Sequence, residues 1–447
     1  MTQCIGQLSF GNLHGKQVVG SFDGGEISSD GGLLLIAGAD RQLGLTGKLA
    51  DCIRDDRQQS KVRHTVGELL AQRVYQIAAG YEDCNDADDM RRDPVLKTVV
   101  GRLPQSDPAC ASQPTLSRFE NSMGPRELRR MADVLVDVFF AQYADATPER
   151  IVLDFDATED ETHGQQQFAA YHGFYRSHCY LPLIVTAQVD GGPHELLAAM
   201  LRPGRIHAGA HALSVLRRLV AKLRERWPKT RILFRADSGF AKPEIYDWCE
   251  DHRVGYLISL AKNDVLLALA EPHMEASRLE HQLTGRKARH VTDELYRAGT
   301  WREYRRVIVK AEVMVRGDNP RFVVTNLRHP DAAYLFDQYA ARGDMENRIG
   351  ELKNGLQMDR TSCHRFVANQ FRVLLYAAAF VLFGVLRKSL RGTRLATAQV
   401  GTLQRQLIKL GVRVKQTARK VWLHFASSCP VQDLWLRVMQ RLCAVPA

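Results

Sequence analysis

The sequence predicts a mixed α/β protein: a mixed sheet flanked by helices, preceded by a helical region, interrupted by a β-rich insertion and followed by a basic helical region. Three observations carry this expectation. Arg150-Ile-Val-Leu-Asp-Phe-Asp156 and Arg231-Ile-Leu-Phe-Arg-Ala-Asp237 are short apolar runs of strand length, each ending in an aspartate before a turn. Amphipathic segments such as Leu213 to Arg226 alternate with such runs, as a sheet covered by helices requires. Tyr296 to Val315, rich in branched, aromatic and basic residues, breaks that alternation and reads as hairpin material.

Taken in order, the first segment, 1–147, reads as helical after a short extended start at Gln17 to Phe22. Ser29 and Asp30 are placed to cap the apolar run Leu33 to Ile36. Val66, Leu69, Leu70, Val74 and Ile77 recur at helical spacing. Ser112 to Glu120 reads as a capped helix with Pro114 in its first turn. Arg118 would be exposed on it, either as part of a DNA-reading helix or on plain scaffold.

From 148 to 261 the texture is α/β, with further strands at Leu181 to Val189, Glu195 to Leu201 and Val254 to Leu260. The insertion occupies 262–318, and 319–386 resumes the core with the strand Arg321 to Asn326 and a patterned helix after it. Val373 to Leu386 is the most apolar run; at ~20 residues for a bilayer span it is too short, so it reads as a buried core helix. The last region, 387–447, reads as helical and basic.

Charge narrows the function. The 447 residues carry a net charge of +11, which points to a polyanionic partner. From Arg360 to Gln432 there is no Asp or Glu, whereas arginines and lysines accumulate; a stretch of one sign fits phosphate neutralisation better than a solvated face of mixed charge. Nine scattered cysteines without a Cys-x-x-Cys pair predict free thiols in a reducing cytoplasm, and no secretory leader opens the chain. No membrane segment is expected.

The chemistry concentrates in Tyr339-Ala-Ala-Arg342-Gly-Asp-Met-Glu346-Asn-Arg-Ile-Gly-Glu-Leu-Lys353. Tyr339, Glu346 and Lys353 are seven residues apart, so on one helix they would drift only ~20° per step, with Arg342 on the same side. Met345, Ile349, Leu352 and Leu356 form a second stripe suited to burial. An acid flanked by cations therefore follows two strand-end aspartates, and three carboxylates can jointly hold two divalent cations. Hard oxygen ligands suit Mg²⁺, with Mn²⁺ able to substitute. Asp154 shares a strand face with Asp156 and is an alternative ligand; Asp156 is nearer the strand end. Glu351 lies roughly 140° around the helix from Glu346, off the cationic face. Strand-end acids taken singly more often cap helices or pair with arginine.

These residues resemble the DDE transposases of bacterial insertion sequences, in the branch whose signature is Tyr, two residues, Arg, three residues, Glu, six residues, Lys. Tyr339, Arg342, Glu346 and Lys353 match it at every position. Asp156 in Asp-Ala-Thr and Asp237 in Asp-Ser-Gly-Phe match the aspartate blocks, with Ala where Gly is common and Ser where Arg or Lys is common. Lys353-Asn-Gly-Leu and Arg360-Thr-Ser-Cys-His-Arg-Phe resemble the insertion-sequence group numbered thirteen-eighty.

The resemblance implies an RNase H-like core with the aspartates on its first and fourth strands and a β-rich insertion before the glutamate helix. It implies catalytic, metal-holding roles for Asp156, Asp237 and Glu346. Tyr339, Arg342 and Lys353 would contact phosphates of double-stranded DNA at terminal inverted repeats, with target DNA as second substrate. A homodimer in the synaptic complex and a bacterial, nucleoid-associated location follow by the same analogy. Trp301 is the candidate for stacking on a flipped base; packing inside the hairpin is its alternative. Two other functions stay open: a catalytically inactive DNA-binding repressor, and an RNase H-like nuclease that does not transpose. His163 and His178 read as structural, and Tyr171 to Tyr180 as a DNA groove or a loop packed over the sheet.

Overall fold

The computed structural model describes residues 8–443. It divides into two compact units: one of residues up to Met131 with Asn354–Gln357 and the chain from Ala378, the other of Ala132–Lys353 and Met358–Ala377.

In the first unit, β1 (Leu8–Leu13) and β2 (Lys16–Gly20) form an exposed antiparallel hairpin, and β3 (Ile27–Ser28) follows. The helix Leu33–Leu43 has Gly32 at its N-cap and no side-chain cap, so the expected capping by Ser29 or Asp30 is not what starts it. A Cβ on Gly32 would sit 1.8 Å from the Leu407 carbonyl oxygen, so only glycine fits. Asp30 instead is buried, 2.7 Å from Lys409 Nζ, and accepts from the Tyr81 hydroxyl. The helix Val66–Ala78 starts with a capping box made by Thr65 and Glu68. The helix Gln113–Asn121 buries Leu116, Phe119 and Glu120 and leaves Arg118 exposed.

The second unit is built on a mixed sheet of nine strands. Its strands are β4 (Arg150–Ala157), β8 (Leu183–Val189), β9 (His194–Met200), β10 (Arg231–Ala236), β11 (Gly255–Leu260), β12 (Ala288–Tyr296), β13 (Arg305–Met314), β14 (Gly317–Asp318) and β15 (Arg321–Thr325). The order is β12-β13-β15-β11-β10-β4-β8-β9, with β14 beside β13. β4, β10 and β11 run parallel, whereas β8 and β9 return antiparallel on the far side of β4. Between β4 and β8, β5 (Asp160–Glu161), β6 (Ala170–His172) and β7 (Ser177–Tyr180) make a small separate sheet.

Alternation decides what each sheet face carries. Ile151, Leu153 and Phe155 of β4, with Ile232, Phe234 and Ala236 of β10, enter the main core under helices that include Ala212–Arg226 and Pro243–Asp251. Each large apolar side chain buried there contributes roughly 1.5–3 kcal/mol. The intervening residues Val152 and Leu233 reach the opposite face, where they pack on Leu335 and Phe336 of the helix Ala332–Ala340. Asp154, Asp156 and Arg235 share their parity.

In the β-rich insertion, β12 and β13 extend the same sheet beyond β15, and the helix Asp264–Thr284 precedes them. One expectation is corrected here. The C-terminal region is not all helical, since β16 (Val412–Gln416) and β17 (Val421–Phe425) form a hairpin that pairs with β3 before the helix Gln432–Cys443. Its Val412 and Val414 are buried and Arg413 and Lys415 exposed, a period of two that net charge obscures. The apolar run Val373 to Leu386 lies within the helix Phe366–Ser389, long and apolar enough to cross a membrane by composition, yet 83% of its most apolar window is buried inside the protein. The eight cysteines of the described residues are free thiols.

Candidate active site

Strand register brings the two aspartates level. β4 and β10 are parallel neighbours with Phe155 opposite Ala236, so Asp156 and Asp237 leave adjacent strand ends side by side. Asp237 then caps the short turn Ser238–Phe240, its Oδ1 accepting the Gly239 N–H at 2.9 Å. That leaves its second oxygen for the site. Asp156 is 7% exposed, and its Oδ1 accepts the Ala157 N–H.

Arg342 closes the arrangement. Its Nη2 stands 2.7 Å from Asp156 Oδ2 and 3.9 Å from Asp237 Oδ2, and its Nη1 is 3.5 Å from Glu346 Oε1. The structure thus draws all three sequence-selected carboxylates around one guanidinium. Asp156 and Arg342 are buried, while the Glu346 side chain is 68% exposed. Burial pushes the Asp156 carboxyl up to about 7, with the charges of Asp237 and Glu346 adding to the rise and Arg342 opposing it.

Asp154, the alternative ligand, is engaged elsewhere. It is fully buried and held by Arg235, whose Nε and Nη2 reach its two oxygens at 2.5 and 2.8 Å, with His194 Nδ1 3.5 Å away. Its charge is already matched, so it supports the sheet. Glu351, also buried, pairs with Arg348 at 2.9 Å.

The single helix expected from Tyr339 to Lys353 is corrected. Tyr339 is the penultimate residue of the helix Ala332–Ala340, Arg342 sits at the N-cap of the next helix, Gly343–Gly350, and Lys353 lies in the π-helical turn Glu351–Gly355. The break frees Arg342 from a lateral helical position and aims it at the strand ends. Met345, Ile349, Leu352 and Leu356 are buried as their spacing predicts. Tyr339 is half-buried against Phe336. Lys353 Nζ donates to the Glu159 carbonyl at 2.8 Å and lies 3.9 Å from Asp359 Oδ2.

Trp301 takes the packed position that is the alternative to base stacking. It is 8% exposed, its ring 5.2 Å from that of Tyr246 and 5.3 Å from that of Tyr296, with the Arg305 guanidinium 5.5 Å over it. The loop between β12 and β13 folds it into the main core because a ring of that size gains most by leaving water.

One group near the acids carried no assigned role. Tyr175, at the tip between β6 and β7, has its hydroxyl pushed up to about 12 by burial and by the charges of Asp156 and Asp237. The aromatic composition of Tyr171 to Tyr180 marked the segment without marking that residue. Phe174 beside it is 82% exposed. Glu159 ties this tip to the π-helical turn after the glutamate helix: its carboxylate accepts from Ser177 and its carbonyl from Lys353.

The donor chemistry suits a hard divalent cation, since every candidate ligand is a carboxylate. Among the described residues no three His, Cys, Asp or Glu side chains stand close enough to hold a metal as they are; Arg342 takes the place between the acids. A cation there requires Arg342 to turn aside.

A family model described as transposase DDE domain group 1 matches residues 10–447. No curated protein matches the chain. Among solved structures, the chain is similar to the piggyBac transposase in its synaptic complex with hairpin DNA, at 13% identity and a TM-score of 0.43, over 94% of this chain and 83% of that one.

Proposed function

The chain belongs to the transposase DDE domain family, and from that premise we propose that it cleaves DNA at terminal inverted repeats and transfers the freed strand by metal-dependent phosphodiester attack. The observation that carries the reading is the meeting of Asp156, Asp237 and Glu346 on the Arg342 guanidinium. The core is read as RNase H-like, supported by Asp156 ending the first strand of the large sheet and Asp237 following its fourth in chain order. The branch is read as the one with the Tyr-Arg-Glu-Lys signature, from a bacterial insertion sequence, acting in the cytoplasm as a synaptic homodimer.

Asp156, Asp237 and Glu346 would hold two Mg²⁺ ions. These would supply Lewis-acid stabilisation of the phosphate oxygens and a more acidic attacking hydroxyl or water. The chain's own residues set the rest. Burial of Asp156 keeps water from competing for its oxygens. The fork of Arg342, turned from the acids, would offer bidentate contact to a substrate phosphate. Lys353, three residues past the end of the glutamate helix, holds the Glu159 carbonyl and so fixes the segment that follows Asp156. Tyr339 packs against Phe336, and its hydroxyl bears electrostatically on Arg342.

A nicking assay on supercoiled plasmid carrying the element's ends tests this: wild type should nick with Mg²⁺ or Mn²⁺ and Asp237→Asn should not. Equal nicking by both would refute the site. Nicking without any strand transfer would favour the non-transposing nuclease.

A further inference from the structure

The C-terminal hairpin carries a surface that the carboxylate site does not use. β16 and β17 pair with Arg413 opposite His424 and Lys415 opposite Trp422, and all four side chains lie on the exposed face. Trp422 is 47% exposed, its ring lies nearly parallel to that of His424 at 6.2 Å, and Lys420 Nζ stands 5.2 Å over it. Arg419 and Lys420 extend the same sign into the turn. Among the described residues no carboxylate pairs with Arg413, Lys415, Arg419 or Lys420.

The opposite face fixes the ribbon. Val412 and Val414 are buried, Arg413 also pairs with Ile27 of β3, and a Cβ on Gly31 would fall 2.8 Å from the Leu410 carbonyl oxygen. A rigid ribbon that keeps unpaired cations exposed bears the self-repulsion for want of their counter-charge. Along a strand, alternate side chains recur every ~6.6 Å, and paired strands lie ~4.8 Å apart. A two-stranded ribbon of that width enters the ~12 Å major groove of B-DNA.

We propose that the β16–β17 ribbon is a duplex-DNA contact surface, with Arg413, Lys415, Arg419 and Lys420 neutralising phosphates and Trp422 lying against the groove wall. The proposal rests on the DNA-processing reading above, but concerns a surface separate from the acids. It makes the ribbon a sequence-tolerant anchor, because phosphate contacts position a protein without reading bases.

The test uses the full-length protein and a labelled linear duplex of arbitrary sequence, with affinity followed against salt. Each phosphate contact contributes about 0.9 to the slope of log K against log salt, so Arg413→Ala with Lys415→Ala should flatten it by about 2. The charge-keeping pair Arg413→Lys with Lys415→Arg should retain the wild-type slope, which separates lost contacts from lost folding. Trp422 emission should change on titration with duplex, and Trp422→Phe should remove that change. An unaltered slope in the double alanine variant would overturn the proposal, as would a slope change seen with single-stranded DNA and not with duplex. If wild type nicks and the slopes do not move, the ribbon fails alone; if Asp237→Asn nicks as wild type does while the slopes move, the carboxylate site fails alone.

Discussion

Nη2 of Arg342 stands 2.7 Å from Oδ2 of Asp156, and the same nitrogen is 3.9 Å from Asp237. One internal cation thus does, in the free protein, what divalent ions are proposed to do in the active one. Without it, neighbouring carboxylates at two strand ends would repel one another.

Arg342→Ala should therefore destabilise the protein in chelator, by up to the roughly 3–5 kcal/mol typical of breaking a buried pair. Added Mg²⁺ or Mn²⁺ should restore part of the loss through binding to the native state. Denaturant midpoints with and without the cation measure this. Equal losses in both conditions would show that Arg342 and the cation do not share a place.

Stability in chelator should depend on pH through Asp156. An unfolded aspartate titrates near ~3.9, whereas burial raises this one to about 7, so the folded chain holds an extra proton between those values. That contribution is complete below ~4 and is lost as pH rises through about 7. Melting temperature should fall on going from mildly acidic to mildly basic buffer, and Asp156→Asn should flatten the fall. An identical profile in that variant would contradict the assignment.

Asp156→Asn, Asp237→Asn and Glu346→Gln should each lower cation-dependent nicking by at least the ~10–100-fold that loss of even an outer-sphere partner costs a metal site. Binding to duplex should be largely kept. Filter binding and nicking on the same preparations separate the two effects. Loss of binding in step with nicking would point to a structural role.

Trp301→Ala should act on folding. A tryptophan with 8% exposure among Tyr246, Tyr296 and Arg305 leaves a cavity costing about 3–5 kcal/mol, whereas Trp301→Phe should cost less. Thermal melts would show it. A variant of wild-type stability that fails only on DNA ends would restore the base-stacking role.

The carboxylates were legible in the sequence because each rule involved is local. A strand-length apolar run ends, an acid follows, and a helix with a buried stripe carries the third. Asp154 was harder, since only coordinates show that Arg235 matches its charge. The break at Arg342 escaped the heptad spacing because seven-residue periodicity survives two short helices in tandem as well as one long one. The place of Trp301 depended on a loop folding back over the sheet, a long-range event that composition does not encode. The β16–β17 ribbon was masked by its own composition: arginines and lysines filled the polar positions, and net charge hid an alternation that buried Val412 and Val414.

The most direct measurement is the position of Mn²⁺, located by anomalous diffraction from crystals of the protein grown with the ion. The account predicts anomalous density against the carboxylates of Asp156 and Asp237, with the Arg342 guanidinium turned away from them. Mn²⁺ bound elsewhere, with Arg342 still bridging Asp156 and Asp237, would contradict it.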